Sequence, residues 1–486
     1  MSKISWWRRG NCRLAGVVAI AAALASGLVP AQRPAAPTND VVGPSMVHAS
    51  GVLSLAGGKW GDKKADAEGL AADKANHPDH DPGSLFTVTR AIGARQLWKH
   101  HDPAGRPLTG SGVTVALLDS GVSPVPGLDS PGKVVYGPDF TAGGVSNTGD
   151  QDDFGHCTFM AGLIAANDQP SKKDGTAINL DAASPAAQEG LAPDAQLLSV
   201  KLAGADGTTT VDAVIAGLAW VVQHRNDNGM NVRVVNLSFG ATALQPYQID
   251  PLAAAVEAAW RSGIVVVASA GNDGPSANGL ADPALDPFVI AVGSSDPQGK
   301  VDGWGHPVVA DFSSRGSPDR PVDLLAPGRS VVSLRVPGST IDVDNPAGLV
   351  AGDSSQRLFR GSGTSEATAV VSGAVALLLQ AHPELTPDQV KALVMATARP
   401  LNQTSVEAAG SGEIQLGTAL DAADKAASKD AKVDLAGAVQ SYPTSSGLDG
   451  VDPGDLSGSW DGARWSGARW SGARWSGARW SGEGWS

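Results

Sequence analysis

The segment Val113-Thr-Val-Ala-Leu-Leu-Asp-Ser-Gly121 places a short apolar run directly before an aspartate, a serine and a glycine. A continuous run of this kind, ending in turn-forming residues, is typical of a strand that is buried on both faces of a sheet. Parallel sheets in α/β proteins provide that environment. The segment therefore predicts a buried parallel strand that carries the carboxylate of Asp119 at its carboxyl end.

Similar runs and helical patterns alternate along the chain. The other strand candidates are 197–202, 232–237, 264–269 and 288–292. Between them, Val211–His224 and Leu252–Arg261 have apolar residues at helical spacing, and Asp250, Pro251 and Gly263 supply an N-cap, a first-turn proline and a stop signal for the second. This alternation predicts an α/β fold, a three-layer sandwich with a mostly parallel doubly wound sheet.

The first 31 residues have the pattern of a secretory signal peptide. Basic residues come first, an uncharged run from Leu14 to Val29 follows, and Val29-Pro30-Ala31 offers a small-residue cleavage site. A retained membrane anchor is the alternative, but the run is shorter than the roughly 20 residues that a spanning helix needs. We therefore expect a secreted protein that is extracellular or associated with the cell surface.

Composition limits the class of protein. With 42% hydrophobic and 17% charged residues, the 486-residue chain fits a globular enzyme with one large core. A formal net charge of -13 argues against nucleic acid as a partner, because phosphate binding needs a concentrated basic face. The two cysteines, Cys12 and Cys157, leave no disulfide framework once a signal peptide is removed.

The rest of the chain divides into four parts by composition. Residues 32–83 are polar and fit either a pro-region or an N-terminal linker. Residues 84–427 contain the dense alternation of strands and helices, and we expect them to form the folded domain. Residues 428–456 have the composition of a linker, and residues 457–486 form a repeat with a period of five.

The repeat Ser-Gly-Ala-Arg-Trp contains six of the 13 tryptophans of the chain. Its period matches neither a helix nor a strand. Tryptophan and arginine together favour stacking and cation-π contacts, so we expect a tail that binds the cell wall, a glycan or a protein partner. A tail with no ligand is an equally good interpretation.

Three further polar residues lie in contexts that suit acyl transfer. His156 begins a small-residue helix in Asp153-Phe-Gly-His-Cys-Thr-Phe-Met-Ala-Gly162. Ser365 lies where a glycine-rich segment enters an apolar helix, so the helix dipole and free N–H groups could hold an oxyanion. Asn272 follows the run 264–269 between glycine-containing turns. Each residue alone is explained as well by a turn, a cap or a core position, but the combination indicates a site.

In the chain order Asp119, His156, Asn272 and Ser365, with these four contexts, the sequence resembles the subtilisin-like serine peptidases. The resemblance extends from residue 88 to residue 423. It implies that Asp119 orients His156, which serves as general base and then acid, and that Ser365 attacks the substrate. It also implies that Asn272 and the N–H of Ser365 form the oxyanion hole.

The resemblance identifies expected substrate-binding segments as well. Asn236–Gly240 is similar to the segment whose backbone pairs with an extended peptide, and Gly190–Lys201 is similar to the central strand of the family. Asp273 would favour basic side chains at the rim of the pocket for the residue before the cut. The residues expected to line that pocket are Ser238, Phe239, Gly240, Ala270, Gly271 and Asp273, with Ala281 near its floor.

Four positions depart from the usual family pattern. The family usually has Gly at the position of Cys157 and His at that of Phe159. It usually has Met at the position of Glu366 and Pro at that of Ala369. Glu366 could disfavour the oxyanion or raise the pKa of His156 if it points inward, and it would complement the helix N-terminus if it points outward. The unpaired Cys157 beside His156 predicts that a bulky thiol reagent slows the enzyme.

We interpret the chain as a secreted serine endopeptidase that hydrolyses proteins or peptides through an acyl-enzyme. The interpretation requires no cofactor. Calcium is common in the family, but no segment has the spacing of an EF-hand, and the acidic cluster 149–153 is expected to lie beside His156 rather than to hold a metal. One alternative is a catalytically silent binding or scaffold protein, motivated by Glu366 and Ala369. In a second alternative the repeat tail is the functional part.

Overall fold

The computed structural model describes residues 78–141, 151–168, 187–241, 245–276, 279–427 and 479–480. The expected signal peptide, the linker and most of the expected pro-region and repeat tail lie outside the described residues.

Strands and helices alternate through most of the described chain. The strands are β1 (Thr114–Asp119), β2 (Val134–Asp139), β3 (Gln196–Lys201), β4 (Val232–Leu237), β5 (Val265–Ser269), β6 (Ile290–Asp296), β7 (Val308–Val309), β8 (Leu324–Pro327), β9 (Val331–Leu334), β10 (Leu358–Ser362) and β11 (Arg479–Trp480). The helices are α1 (Leu85–Ala91), α2 (Ala94–Leu97), α3 (His156–Ala165), α4 (Val211–His224), α5 (Pro251–Arg261), α6 (Thr340–Asp344), α7 (Thr364–Ala381), α8 (Pro387–Ala396), α9 (Val406–Ala409) and α10 (Leu416–Ala427).

The large sheet has eight strands in the order β2-β3-β1-β4-β5-β6, and β6 pairs further with β7 and with β8. All of its pairings are parallel except that of β6 with β7. Every residue of β1 and β5 is buried, as the continuous apolar runs predicted. The predicted α/β fold class with a mostly parallel sheet is confirmed.

The strand order corrects one expectation from the family resemblance. Residues 196–201 form β3, which lies between β1 and the edge strand β2 rather than at the centre of the described sheet. The chain winds outward from β1 in one direction through β3 and in the other through β4, β5 and β6. The order therefore reverses between β1 and β4, and such reversal points form the ligand-binding crevices of open α/β sheets.

Local signals position the two long surface helices. Helix α4 has the predicted bounds, and the Thr210 side chain accepts a hydrogen bond from its first turn. Helix α5 begins at Pro251, where the Asp250 side chain accepts from the N–H groups of Leu252 and Ala253. The cap at Asp250 depends on neighbouring residues only, so it was readable from the sequence.

Helix α7 is the core helix of the domain. Residues 364–380 are all buried, and the helix packs against α3 and against strands β4, β5 and β6. It is the one described helix that is long and apolar enough to cross a membrane, and 94% of it is buried inside the protein. The packing of α7 brings its first turn to the carboxyl ends of the central strands.

A small antiparallel sheet lies directly before α7. Strand β10 pairs with β9 on one side and with β11 on the other, where Gly361 faces Trp480 and Ser362 faces Arg479. A pentapeptide repeat of the tail thus supplies the neighbour of the strand that leads into the Ser365 helix. The sequence analysis did not predict this sheet, because its strands are short and interrupted by polar residues and glycine.

Candidate active site

Asp119 and His156 form a buried hydrogen-bonded pair. Asp119 is the last residue of β1, and His156 is the first residue of α3. Nδ1 of His156 lies 2.9 Å from Oδ2 and 3.1 Å from Oδ1 of Asp119, and both side chains are fully buried. Since a carboxylate can only accept, this contact places the proton on Nδ1 and leaves Nε2 as the basic nitrogen of the neutral ring.

The carboxylate of Asp152 forms hydrogen bonds with both segments that carry this pair. Its Oδ1 accepts from the hydroxyl of Ser120 and from the N–H of Gly155, each at 2.7 Å, and its Oδ2 accepts from the N–H of Thr158 at 2.7 Å. The hydroxyl oxygen of Ser120 in turn accepts from the N–H of Cys157 at 3.1 Å. The loop after β1 and the first turn of α3 are therefore held together, which fixes the separation of Asp119 and His156.

The environment of His156 favours its charged form. Burial by itself lowers the pKa of His156, but Asp119, Glu366 and Asp152 together raise that pKa above its ordinary value. Asp119 acts both by its charge and through the hydrogen bond. An imidazole with a raised pKa is a stronger base, provided that the pH is high enough for it to be neutral.

Ser365 lies in the first turn of α7 and faces the carboxyl end of β4. Its hydroxyl donates to the carbonyl oxygen of Ser238 at 2.9 Å, and the hydroxyl of Ser238 donates to the carbonyl oxygen of Ser365 at 3.0 Å. The side-chain amide of Asn236 donates to the Ser238 hydroxyl, and its oxygen accepts from the hydroxyl of Ser372, which lies further along α7. These bonds attach the start of α7 to β4.

Asn272 is oriented by the same helix turn. Its Oδ1 accepts from the N–H of Thr364 at 2.9 Å and from the Thr364 hydroxyl at 3.1 Å. A backbone N–H can only donate, so the amide oxygen must face Thr364. The Nδ2 group of Asn272 consequently points away from Thr364.

The six residues expected to bind substrate lie on two adjacent loops. Ser238, Phe239 and Gly240 directly follow β4, and Ala270, Gly271 and Asp273 directly follow the neighbouring strand β5. The hydroxyl of Ser269 donates to the carbonyl oxygen of Phe239 at 2.8 Å and connects the two loops.

Ala281 lies close to a glycine of each loop. A Cβ atom added at Gly240 would lie 2.7 Å from the Cβ of Ala281, and one at Gly271 would lie 3.3 Å from it. Gly271 also has a φ of 107°, which side chains other than glycine rarely adopt. Both glycines are therefore required for the close approach of the loops. Asp273 is exposed at the rim.

A buried acid that the sequence analysis missed follows Ala281. Asp282 is fully buried, and neither carboxyl oxygen has a hydrogen-bond partner among the described residues. Burial, followed by the nearby Asp250 and Asp286, raises the pKa of Asp282 well above its ordinary value. Burial and the two neighbouring carboxyl groups thus favour the neutral form of Asp282. An aspartate before a proline reads as a turn residue, so no sequence signal indicated this burial.

The structure shows which way the Glu366 side chain points, and it contradicts the expected reactivity of the Cys157 thiol. Glu366 is fully buried and therefore takes the inward of the two orientations considered above. Cys157 is also fully buried, and burial raises the pKa of its thiol well above the ordinary value. The expected slowing by a bulky thiol reagent requires an accessible thiolate, which this environment does not provide.

Acidic residues beside His156 form hydrogen bonds and an ion pair with neighbouring groups. In the described ranges, no three His, Cys, Asp or Glu side chains are grouped so that they could hold a metal ion. Asp152 and Asp153 of the acidic cluster instead bond to the His156 segment and to Lys201, respectively. The site therefore consists of a carboxylate, an imidazole, a hydroxyl and an amide at one edge of the sheet.

Comparison with known proteins places this arrangement in a family. The model of the subtilase family matches residues 110–421. Serine protease AprX of Bacillus subtilis (strain 168) is 37% identical over 317 residues, which cover 64% of this chain and 65% of AprX, just under two thirds of that relative. Subtilisin BL of Lederbergia lenta is 34% identical over 305 residues, which cover 63% of this chain and 90% of that protein.

A solved structure gives the same result. Sphericase aligns with a TM-score of 0.50 and 25% sequence identity over 66% of this chain and 97% of its own. The family match begins shortly before β1 and ends within α10, so it includes every residue of the site described above. The chain therefore belongs to the subtilase family of serine endopeptidases.

Proposed function

We propose that this subtilase hydrolyses peptide bonds of proteins with Ser365 as nucleophile, His156 as general base and acid, and Asp119 as the carboxylate that orients His156. The observation that carries the assignment is the buried pair of Asp119 and His156 at 2.9 Å, whose helix α3 packs against α7, the helix with Ser365 in its first turn. Buried charges require partners, and a buried aspartate-histidine pair at the end of a sheet fits the geometry of a hydrolytic triad.

In the acylation step, the Ser365 hydroxyl rotates about its Cα–Cβ bond away from Ser238 and attacks the scissile carbonyl carbon. Nε2 of His156 takes the hydroxyl proton, and Asp119 stabilises the resulting imidazolium. Nδ2 of Asn272 and the N–H of Ser365 donate to the oxyanion. The intermediate collapses when the C–N bond breaks and His156 returns its proton to the leaving amine, which leaves an ester on Ser365.

Deacylation repeats these steps with water. His156 removes a proton from a water molecule, whose oxygen attacks the ester carbonyl, and the same two donors hold the second oxyanion. The C–O bond to Ser365 then breaks, and the serine recovers its proton from His156. The cycle releases a carboxylic acid and an amine, and it requires no cofactor. Calcium, if bound, would act on stability.

The substrate is proposed to be an extended protein segment. The loops after β4 and β5 would form the walls of the pocket for the side chain before the cut, with Ala281 between them. Asp273 would favour basic side chains only weakly, because an exposed carboxylate interacts with a cation by about 1 kcal/mol or less.

We also propose that the protein is exported and that residues 457–486 attach it to the cell wall, a glycan or a protein partner. The basic, uncharged and small-residue segments of the N-terminus support export. The tryptophan and arginine content of the repeats supports attachment by stacking. The pairing of Arg479–Trp480 with β10 supports a tail that lies near the peptidase domain.

Two experiments test these proposals. Casein hydrolysis by the purified protein should require Ser365, His156 and Asp119, and activity that survives Ser365→Ala would refute the assignment. Deletion of residues 457–486 should release the enzyme from the cell surface into the medium with hydrolysis intact. Unchanged retention after the deletion would refute attachment by the tail.

A further inference from the structure

The carboxyl group of Glu366 is buried next to the nucleophile without a hydrogen bond to any other described residue. The residue has no exposed surface, and the one backbone group that acts on its carboxyl group is its own N–H. Buried polar groups are normally paired, because an unpaired one loses its interactions with water without replacement. A carboxyl group kept in such a position, one residue after Ser365, calls for an explanation in terms of function.

The positive charge of protonated His156 lowers the pKa of Glu366. Helix α7, which carries Glu366, packs against helix α3, which begins with His156. The electrostatic influence is mutual: His156 opposes protonation of Glu366, and Glu366 favours protonation of His156. The second and third residues of α7, Ser365 and Glu366, therefore supply the proposed nucleophile and a carboxyl group that acts on the proposed base.

Other titratable groups face His156 from the neighbouring elements. Asp119 acts from β1, and Asp152 acts from the loop before α3. Cys157, the next residue of α3, is under the influence of Asp119, Asp152 and Lys201, and its thiol stays protonated. Glu366 is thus the only group of this set that approaches His156 from the helix of the nucleophile.

We propose that Glu366 acts through His156 as a second carboxylate of the active site and shifts the pH range of hydrolysis toward alkaline values. The inference rests on the proposed roles of Ser365 and His156 and adds a residue to them. Glu366 would be an electrostatic positioning residue, since it would touch neither the substrate nor the reacting atoms.

The sign of the effect follows from the charges. His156 must be neutral to accept the proton of Ser365, and a nearby carboxylate stabilises its charged form, so neutral His156 appears only at higher pH. Once the pH is high enough, the same carboxylate stabilises the imidazolium that forms as Ser365 attacks. Burial raises the pKa of Glu366 to about 7, so Glu366 and His156 titrate in overlapping ranges and as a coupled pair.

The test is the pH dependence of kcat/KM for a peptide substrate, measured together with the rate of labelling by a fluorophosphonate. Glu366→Gln removes the charge but keeps the shape. We expect its acidic limb to move to lower pH by about 0.5 to 1 unit, which raises activity on that limb, relative to the plateau, by about 3- to 10-fold. Glu366→Asp retains the charge and should keep the limb close to that of the wild type.

Glu413→Gln is a matched control. Glu413 is also a buried glutamate with an unpaired oxygen and a pKa raised to about 7, but its neighbours are Ser295 and Arg399. Its replacement should leave the acidic limb unchanged even if it lowers stability. An unchanged limb in Glu366→Gln, or a limb at higher pH, would overturn the inference. Absence of labelling at every pH in the folded wild-type protein would instead refute the proposed function itself.

Discussion

The side chains of Asp119 and His156 meet at 2.9 Å with both residues fully buried, one at the end of β1 and the other at the start of α3. No local signal in either segment requires this contact; it results from the parallel order of the sheet and the packing of α3. The carboxylate fixes the tautomer of His156, because only a ring nitrogen that carries a proton can donate to it. This tautomer is the one that the proposed attack by Ser365 requires.

Asp119→Asn should therefore reduce kcat by about 10³- to 10⁴-fold, because an amide can donate to Nδ1 and so favours the wrong tautomer. KM should change little, since Asp119 does not touch the substrate. Steady-state hydrolysis of a peptide substrate measures both constants. Asp153→Asn is the control: Asp153 pairs with Lys201 in the same loop and should tolerate the replacement. Equal losses in the two variants would contradict the assignment.

Asn272→Asp tests the oxyanion donor. The aspartate keeps an acceptor for the N–H of Thr364 but loses the Nδ2 donor. We expect a loss of at least about 10²-fold in kcat, with circular dichroism and thermal unfolding close to those of the wild type. Activity within a few-fold of the wild type would exclude Asn272 from the oxyanion hole.

Asp152→Ala tests the hydrogen bonds that join the loop after β1 to the first turn of α3. The replacement leaves the donors on Ser120, Gly155 and Thr158 without their acceptor. Unpaired buried donors cost about 1 to 3 kcal/mol each, so the loss of the acceptor for three donors should lower the free energy of unfolding by at least about 3 kcal/mol. Urea unfolding measures this change, with Asp153→Ala as the control. A fall no larger than that of the control would show that the three bonds do not hold the loop.

Cys157 should be unreactive in the folded protein. Its thiol is fully buried and its pKa is raised, so little thiolate is present at neutral pH. In a Cys12→Ser variant, in which Cys157 is the remaining cysteine, a thiol reagent should react only after unfolding and should leave hydrolysis unchanged beforehand. Rapid native labelling with loss of activity would contradict the buried position.

Much of the fold was predictable because the relevant signals are local. The apolar runs indicated β1 and β4, and the cap at Asp250 indicated α5. The expected central position of β3 was wrong, since β3 lies next to the edge strand β2. The order of strands depends on which faces the helices cover and not on any one segment. The small sheet was missed because β10 pairs with β9 and with β11, and β11 lies far along the chain. Local sequence patterns do not show which strands pair.

The candidate site divides in the same way. Residue type and sequence context indicated Asp119, His156, Asn272 and Ser365 as candidates, because carboxyl ends of parallel strands and starts of helices are readable from local sequence. The direction of a side chain at a helix start was not predictable, so the sequence left Glu366 with two orientations. The role of Asp152 was likewise hidden, because its three partners come from two separate segments of the chain.

The most direct test of the central claim is covalent labelling of the purified, folded protein with a fluorophosphonate, beside a Ser365→Ala variant, while casein hydrolysis is followed in the same samples. We expect labelling of the wild type at Ser365 with parallel loss of hydrolysis, and neither labelling nor hydrolysis in the variant. A folded wild-type protein that is not labelled, or a Ser365→Ala variant that still hydrolyses casein, would contradict it.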